Sequence, residues 1–173
     1  GLFFDMINSY PKPVIMLAEG AAMAGGLGML CAGDIVVVTE DCKFALTETT
    51  LGIPPAQIAP FVSQRIGLAK ARRIMLTAAR FTGKEAHEMG LADFVAKDAD
   101  DLKVIEADIK KGVLKCAPGA NAVTKEIVLA TRHLTRKEMI EFAAKGFAER
   151  MLSDEGKEGI SSFIEKRKPK WSK

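Results

Sequence analysis

The sequence predicts an α/β protein, with a strand-and-turn core over residues 1–98 and a helical extension over 99–173. Three observations predict it. KPVIMLAE (12–19) and DIVVVT (34–39) are short, continuous apolar runs, rich in β-branched residues, of the kind buried on both faces of a sheet. Glycine and proline punctuate the chain between residues 12 and 97. Beyond residue 99, apolar residues recur at helical spacing behind capping signals.

The elements follow in order. Between the two apolar runs, AGGLGMLCAG (24–33) is too rich in small residues for a surface helix and predicts a short helix packed tightly after a glycine turn. KFAL (43–46) reads as a further strand, and LGIPPAQIAP (51–60) as a proline-rich turn. Phe61 to Ala79 carries apolar residues at helical spacing interrupted at Gly67, which predicts two helices. Thr82-Gly-Lys-Glu85 is a capping box opening a helix that stops at Gly90, and Leu91–Ala96 is a strand. In the extension, Val123, Ile127, Ala130 and Leu134 share a face. Thr135-x-x-Glu138 opens a helix with Ile140, Ala143, Phe147 and Met151 on its inner stripe. Asp154 is the expected N-cap of the last helix, which carries Ile160, Phe163 and Ile164, and Pro169 is expected to end it. A buried-looking strand so near the start implies strand partners upstream, so N-terminal sequence is expected to precede this chain.

Composition narrows the class of function. The 173 residues suit one domain or one core with an extension, and 48 % hydrophobic with 27 % charged residues is ordinary for a globular protein. No run approaches the roughly 20 apolar residues that span a bilayer, and GLFFDMINSYPKP shows no secretory leader. Three cysteines (Cys31, Cys42 and Cys116) without C-x-x-C spacing predict neither a disulfide framework nor a metal site, and point to a reducing, cytoplasmic setting. The net charge is +3; the last ten residues hold five Lys/Arg and one Glu, a local +4, so the body is close to neutral. That excludes a basic surface for nucleic acid over the whole molecule and leaves room for one local phosphate contact.

Chemistry is concentrated at Ala24–Gly26 and Glu48. A strand, then Ala-Gly-Gly, then a helix puts backbone N–H groups where they can meet an anion, with no Cβ at Gly25 or Gly26 to hold a ligand off. Such donors suit the oxyanion that develops on a thioester. The same glycines serve equally for close packing of helix on strand. Glu48 follows an apolar strand and precedes a proline turn, which fits either a general acid–base or a surface residue of the loop TETT. His87 and His133 read as solvated histidines, Cys31 and Cys42 as small core residues, and Asp34 as a group that orients the following strand.

The stretch KPVIMLAEGAAMAGGLGMLCAGDIVVVTEDCKFALTETTLGIPPA resembles the signature of the crotonase (enoyl-CoA hydratase/isomerase) family. The resemblance continues through RIGLAKARRIMLTAARFTGKEAHEMGLADFV and ends in EGISSFIEKRKPKW, so it covers essentially the whole chain. It implies a spiral of ββα units, lacking its early turns here, and an acyl-CoA thioester as substrate. No cofactor is implied beyond the coenzyme A that the substrate carries. By the same resemblance Gly25 supplies one oxyanion-hole amide, the other donor belonging to an upstream loop. Glu48 matches the second of the two glutamates of the two-glutamate hydratases. Gly26 and Gln57 are implied in substrate binding. Phe163 and Lys166 are implied beside the coenzyme A of a neighbouring subunit in a trimer or hexamer, though a solvated basic tail accounts for them as well.

One departure stands out. The first glutamate of the two-carboxylate pattern falls on Gly28, so a gap is expected there. The variant G-G-L-G, followed by T-E-x-x-L-G-I, resembles a subgroup acting on glutaconyl-CoA esters, the 3-methylglutaconyl-CoA and isohexenylglutaconyl-CoA hydratases, the latter serving acyclic terpene breakdown. A one-glutamate enoyl-CoA isomerase and a non-catalytic acyl-CoA-binding subunit are the alternatives that the departure leaves open.

Overall fold

The computed structural model describes residues 1–172. In chain order its elements are α1 (Leu2–Ser9), β1 (Ile15–Ala18), β2 (Ala21–Met23), α2 (Gly25–Ala32), β3 (Ile35–Thr39), β4 (Lys43–Ala45) and a 3-10 turn (Glu48–Leu51). Then come α3 (Ala59–Ile66), α4 (Leu68–Leu76), β5 (Arg80–Thr82), α5 (Gly83–Met89) and β6 (Phe94–Ala96). The helices α6 (Ala99–Leu114), α7 (Pro118–Ala130), α8 (Arg136–Leu152) and α9 (Asp154–Ile164) complete it. Two compact units divide inside α6: Gly1–Tyr10 with Val14–Asp108, and Pro11–Pro13 with the residues from Ile109 on.

The first unit repeats one pattern. The chain runs through a strand of one sheet, bends, runs through a strand of a second sheet, and then turns into helix: β1, β2 and α2, followed by β3, β4 and the 3-10 turn leading to α3. Successive repeats stack in parallel, Ile15 against Ile35 in the first sheet and Ala21 against Lys43 in the second. The first sheet is ordered β1-β3-β6, and the second β2-β4-β5, with β5 antiparallel. Val36, Val37 and Val38 are 0 % exposed, as expected of a strand covered on both faces. Phe44 stacks on Phe81 at 5.4 Å between ring centroids and ties β4 to β5. Asp34 accepts from the Val14 N–H at 2.7 Å, which fixes the start of β1 against that of β3. Arg65 of α3 donates to the Leu91 and Gly33 carbonyls and pairs with Asp93, whose carboxylate also accepts from the Val36 N–H. One side chain thereby joins α3, the end of α2, the start of β3 and the lead-in to β6.

The expected break between α3 and α4 falls at Gly67, and the Thr82–Glu85 capping box opens α5 with both reciprocal bonds in place. Those bonds, the Thr82 N–H first, draw the Glu85 carboxyl below its usual value. Three elements carry no expectation from the sequence: α1, β2 and β5.

In the second unit α8 packs on α7 and α9 on α8. Thr135 and Glu138 cap α8 reciprocally. Two details differ from expectation. Ser153, not Asp154, is the N-cap of α9: its Oγ accepts from the Gly156 N–H at 3.1 Å, while Asp154 is already helical. Pro169 does not end α9 either. The helix stops at Ile164 because Lys166 takes a left-handed conformation (φ 53°), its N–H reaching the Phe163 carbonyl and the Arg167 N–H that of Ser162. These two bonds make a Schellman motif, closed here by lysine where glycine is usual. Beyond it Arg167 grips Glu158, and Trp171 lies against Gly159 with its indole N–H donating to the Lys115 carbonyl at 3.2 Å.

Candidate active site

Gly25 and Glu48 emerge from the same end of one sheet. β2 and β4 are parallel neighbours, with Met23 opposite Ala45 as the last pair. Gly25 lies two residues beyond Met23 and Glu48 three beyond Ala45. Parallel strands direct their carboxyl ends, and the loops that follow, toward one crevice, the usual location of a ligand in such sheets.

The passage from β2 into α2 takes a single residue. Ala24 donates to the Ala45 carbonyl at 2.9 Å, keeping the ladder, and takes φ 47° and ψ −119° to turn the chain. An alanine held there stores strain of order 1–3 kcal/mol, which persists only where the surroundings enforce it. The result is a helix beginning at Gly25 directly off the strand end. The N–H groups of Gly25, Gly26 and Leu27 meet no backbone acceptor among the described residues, and the Gly28 N–H closes the first helical turn onto the Ala24 carbonyl at 3.1 Å. Beyond its chain neighbours and the backbone of α2, no atom lies within 4 Å of the position a Cβ would take on Gly25, so that side of the residue is open. The sequence offered no sign of the strained Ala24.

Glu48 is half-buried at the start of the 3-10 turn, and its Oε2 is buried without a hydrogen-bond partner among the described residues. Such an oxygen is uncommon in a folded protein and calls for an explanation. Its backbone is held firmly. The Glu48 carbonyl accepts from Ile53 at 3.2 Å, Gly52 closes the turn in a left-handed conformation, and the Thr49 hydroxyl donates to the Met75 carbonyl of α4 at 3.1 Å. The backbone that carries the carboxylate is therefore fixed, with Thr49 as an anchor that no sequence pattern announced.

The other sequence-expected residues are spread more widely. Gly26 is the second residue of α2. Gln57 is exposed just before α3, its Oε1 accepting from the Gly1 amino group at 2.7 Å. Phe163 and Lys166 belong to the second unit: Phe163 is 85 % exposed near the end of α9, and Lys166 is the exposed left-handed residue that stops it. Gly28 differs from expectation. It does not border a gap: a Cβ there would lie 2.7 Å from the Ile58 Cβ. Burial pushes the Cys31 thiol up to about 12 and the Cys42 thiol up to about 11, so neither is a nucleophile. His87 is tied through Nδ1 to the Ala92 carbonyl. Among the described residues no group of three or more His, Cys, Asp or Glu could hold a metal ion, and no helix is long and apolar enough to cross a membrane.

Comparison with known proteins finds relatives along nearly the whole chain. The family model described as Enoyl-CoA hydratase/isomerase matches residues 3–173. A Bacillus subtilis protein named "Probable enoyl-CoA hydratase" is 35 % identical over 169 residues, covering 96 % of this chain and 65 % of its own length. The peroxisomal Delta(3,5)-Delta(2,4)-dienoyl-CoA isomerase of Arabidopsis thaliana is 31 % identical over 171 residues, covering 96 % of this chain and 60 % of its own. Among solved structures, Pseudomonas aeruginosa AtuE superposes with a TM-score of 0.97 at 43 % identity, over 99 % of this chain and 67 % of that one. An enoyl-CoA hydratase/isomerase from Marinobacter aquaeolei gives 0.95 at 38 % identity, over 99 % and 65 %. This chain thus spans about two thirds of the length of its relatives.

Proposed function

The chain belongs to the enoyl-CoA hydratase/isomerase family, and from that premise we propose that the complete protein adds water across the double bond of an enoyl-CoA ester, with Glu48 as its acid–base group and the Gly25 amide as an oxyanion donor. The observation that carries the reading is the orphaned, buried Glu48 oxygen in the turn after β4, at the same end of the sheet as the unpaired amides that head α2 after β2. In this mechanism Glu48 takes a proton from water as the water oxygen bonds to the β-carbon. The π electrons move toward the thioester oxygen, where the Gly25 N–H meets the developing charge. Glu48 then returns the proton to the α-carbon, so one water is added and the carboxylate is regenerated.

The substrate class we favour is a branched glutaconyl-CoA ester such as isohexenylglutaconyl-CoA, which would place the protein in acyclic terpene breakdown. Support comes from the single acid–base carboxylate: a distal carboxylate on the substrate can order the water that a second glutamate would otherwise hold. Gly26 and Gln57 would contact the substrate. Phe163 and Lys166, exposed at the end of α9, suit contact with the adenine and phosphates of coenzyme A in a neighbouring subunit of a homotrimer or hexamer. The reading needs no cofactor beyond the coenzyme A of the substrate, and its setting is cytoplasmic.

A second reading is double-bond migration, for which one carboxylate suffices; the similarity to the Arabidopsis dienoyl-CoA isomerase favours it. The two separate in one experiment. The complete protein is offered a panel of 2-enoyl-, 3-enoyl- and glutaconyl-type CoA esters, and products are resolved by mass. A gain of 18 Da with branched glutaconyl-CoA as the best substrate is the expected result; products of unchanged mass would establish isomerisation instead.

A further inference from the structure

Position 28 is closed by a neighbour. Gly28 is buried on α2, and a Cβ there would lie 2.7 Å from the Ile58 Cβ, closer still to Ile58 Cγ2, and 3.5 Å from Phe4 Cε1. The Ile58 branch carbon itself is in the way, so no change of χ1 clears the space. Nor can the backbone at Ile58 retreat freely. Its N–H bonds the Pro55 carbonyl at 3.3 Å and its carbonyl accepts from Val62 at 3.1 Å, which locks it between the proline turn and α3. Ile58 is 4 % exposed, and Phe4, the other neighbour of position 28, packs against Phe61 of α3 at 5.9 Å between ring centroids.

Gly28 is also one turn along α2 from Gly25, an axial rise of about 4.5 Å. Ile58 therefore packs against α2 at the position one turn along from the candidate oxyanion amide. We infer that Ile58 is a specificity-determining residue of this site. With Gly28 it forms a small–large pair that puts an apolar wall where an acid–base side chain on α2 would sit, leaving Glu48 to act alone. This inference rests on the proposed thioester site for its functional half, while its steric half stands on packing alone. By keeping a second carboxylate off α2, the pair disfavours unbranched enoyl esters, whose water then has no second anchor.

The test is a pair of double-variant cycles in the complete protein. Gly28→Ala should lower Tm by about 5 °C or more, the scale of overpacking in a tight core. In the Ile58→Ala background the same change should cost less than half as much. Additive losses would overturn the pairing. For specificity, Gly28→Glu combined with Ile58→Ala should hydrate but-2-enoyl-CoA about 10-fold or more faster than Ile58→Ala alone, the low end of a general acid–base contribution. Turnover of a branched glutaconyl-CoA should fall in the same variant. A coupled thermal cycle with an unchanged substrate ratio would overturn the specificity role while keeping the packing. If Glu48→Gln is also fully active, it is the thioester site itself that has failed.

Discussion

The two units solve the problem of burying apolar surface differently. In the first, a closed core forms within the unit: Leu27, Val36, Val37, Val38, Phe44 and Leu46 are each 1 % exposed or less, while Leu17, Met29 and Phe94 stay exposed at its surface. In the second, α8 buries no residue among those described, α7 buries Ala130 and α9 buries Ser162. Phe163, Leu152, Ile164 and Phe147 are 85, 75, 72 and 66 % exposed. An open cavity of about 410 Å³ lies among Val123, Ile127, Phe147, Met151, Ile160 and Trp171. Exposed apolar area on this scale suits contact with another surface, as the proposed homo-oligomer would supply. The first unit closes a core of its own; the second leaves its apolar face open.

The largest expected contrast is mutational. Gly83 opens α5, and a Cβ on it would strike the Thr39 carbonyl oxygen, backbone against backbone. Gly83→Ala should therefore destabilise the first unit by about 3 kcal/mol, the upper end for overpacking. Phe147→Ala in the second unit should change folding stability by no more than about 0.5 kcal/mol, as for other exposed positions, yet weaken self-association. Denaturant titration and sedimentation velocity read the two effects; a Phe147→Ala protein that unfolds as readily as Gly83→Ala would erase the distinction.

A smaller effect concerns the fold-back after α9. Glu158 is held at about 2, first by the Arg167 hydrogen bonds, against an ordinary value of 4.5. A depressed folded-state value means the carboxylate contributes fully above the ordinary value and that its contribution is lost as pH falls from about 4.5 through about 2. Trp171 is the single tryptophan, so its emission reports this segment alone. It should shift to the red over that window, and Glu158→Gln should show the shifted spectrum already at neutral pH. The smallest contrast is chemical. Cys116, exposed, should react at once with a thiol reagent, whereas Cys31 and Cys42 should react only after unfolding. Early reaction of all three would show that the first unit opens easily.

What the sequence disclosed depended on range. The runs at β1 and β3, the break at Gly67 and both capping boxes are local patterns, and each appears where it was expected. The three-residue strands β2 and β5 carried no expectation, although β4 and β6 of the same length did, and α1 offers only a short apolar cluster without a cap. The site divides in the same way. Gly25 and Glu48 were visible as residues that follow strands. The strain at Ala24 arises from how β2 pairs with β4, and the closure of position 28 depends on Ile58, thirty residues away, so neither has a local signature. Lys166 ended α9 through backbone geometry before the more conspicuous Pro169 was reached.

If Glu48 moves protons at the α-carbon of a thioester, isotope exchange reveals it whether hydration or isomerisation follows. An enoyl-CoA ester and its product are equilibrated with the complete protein in D2O, and deuterium entering the α-carbon is followed by NMR. Rapid incorporation is expected with the natural protein, slowed about 10²-fold or more in Glu48→Gln, with binding of the CoA ester unchanged. Incorporation at an undiminished rate in Glu48→Gln would contradict that role.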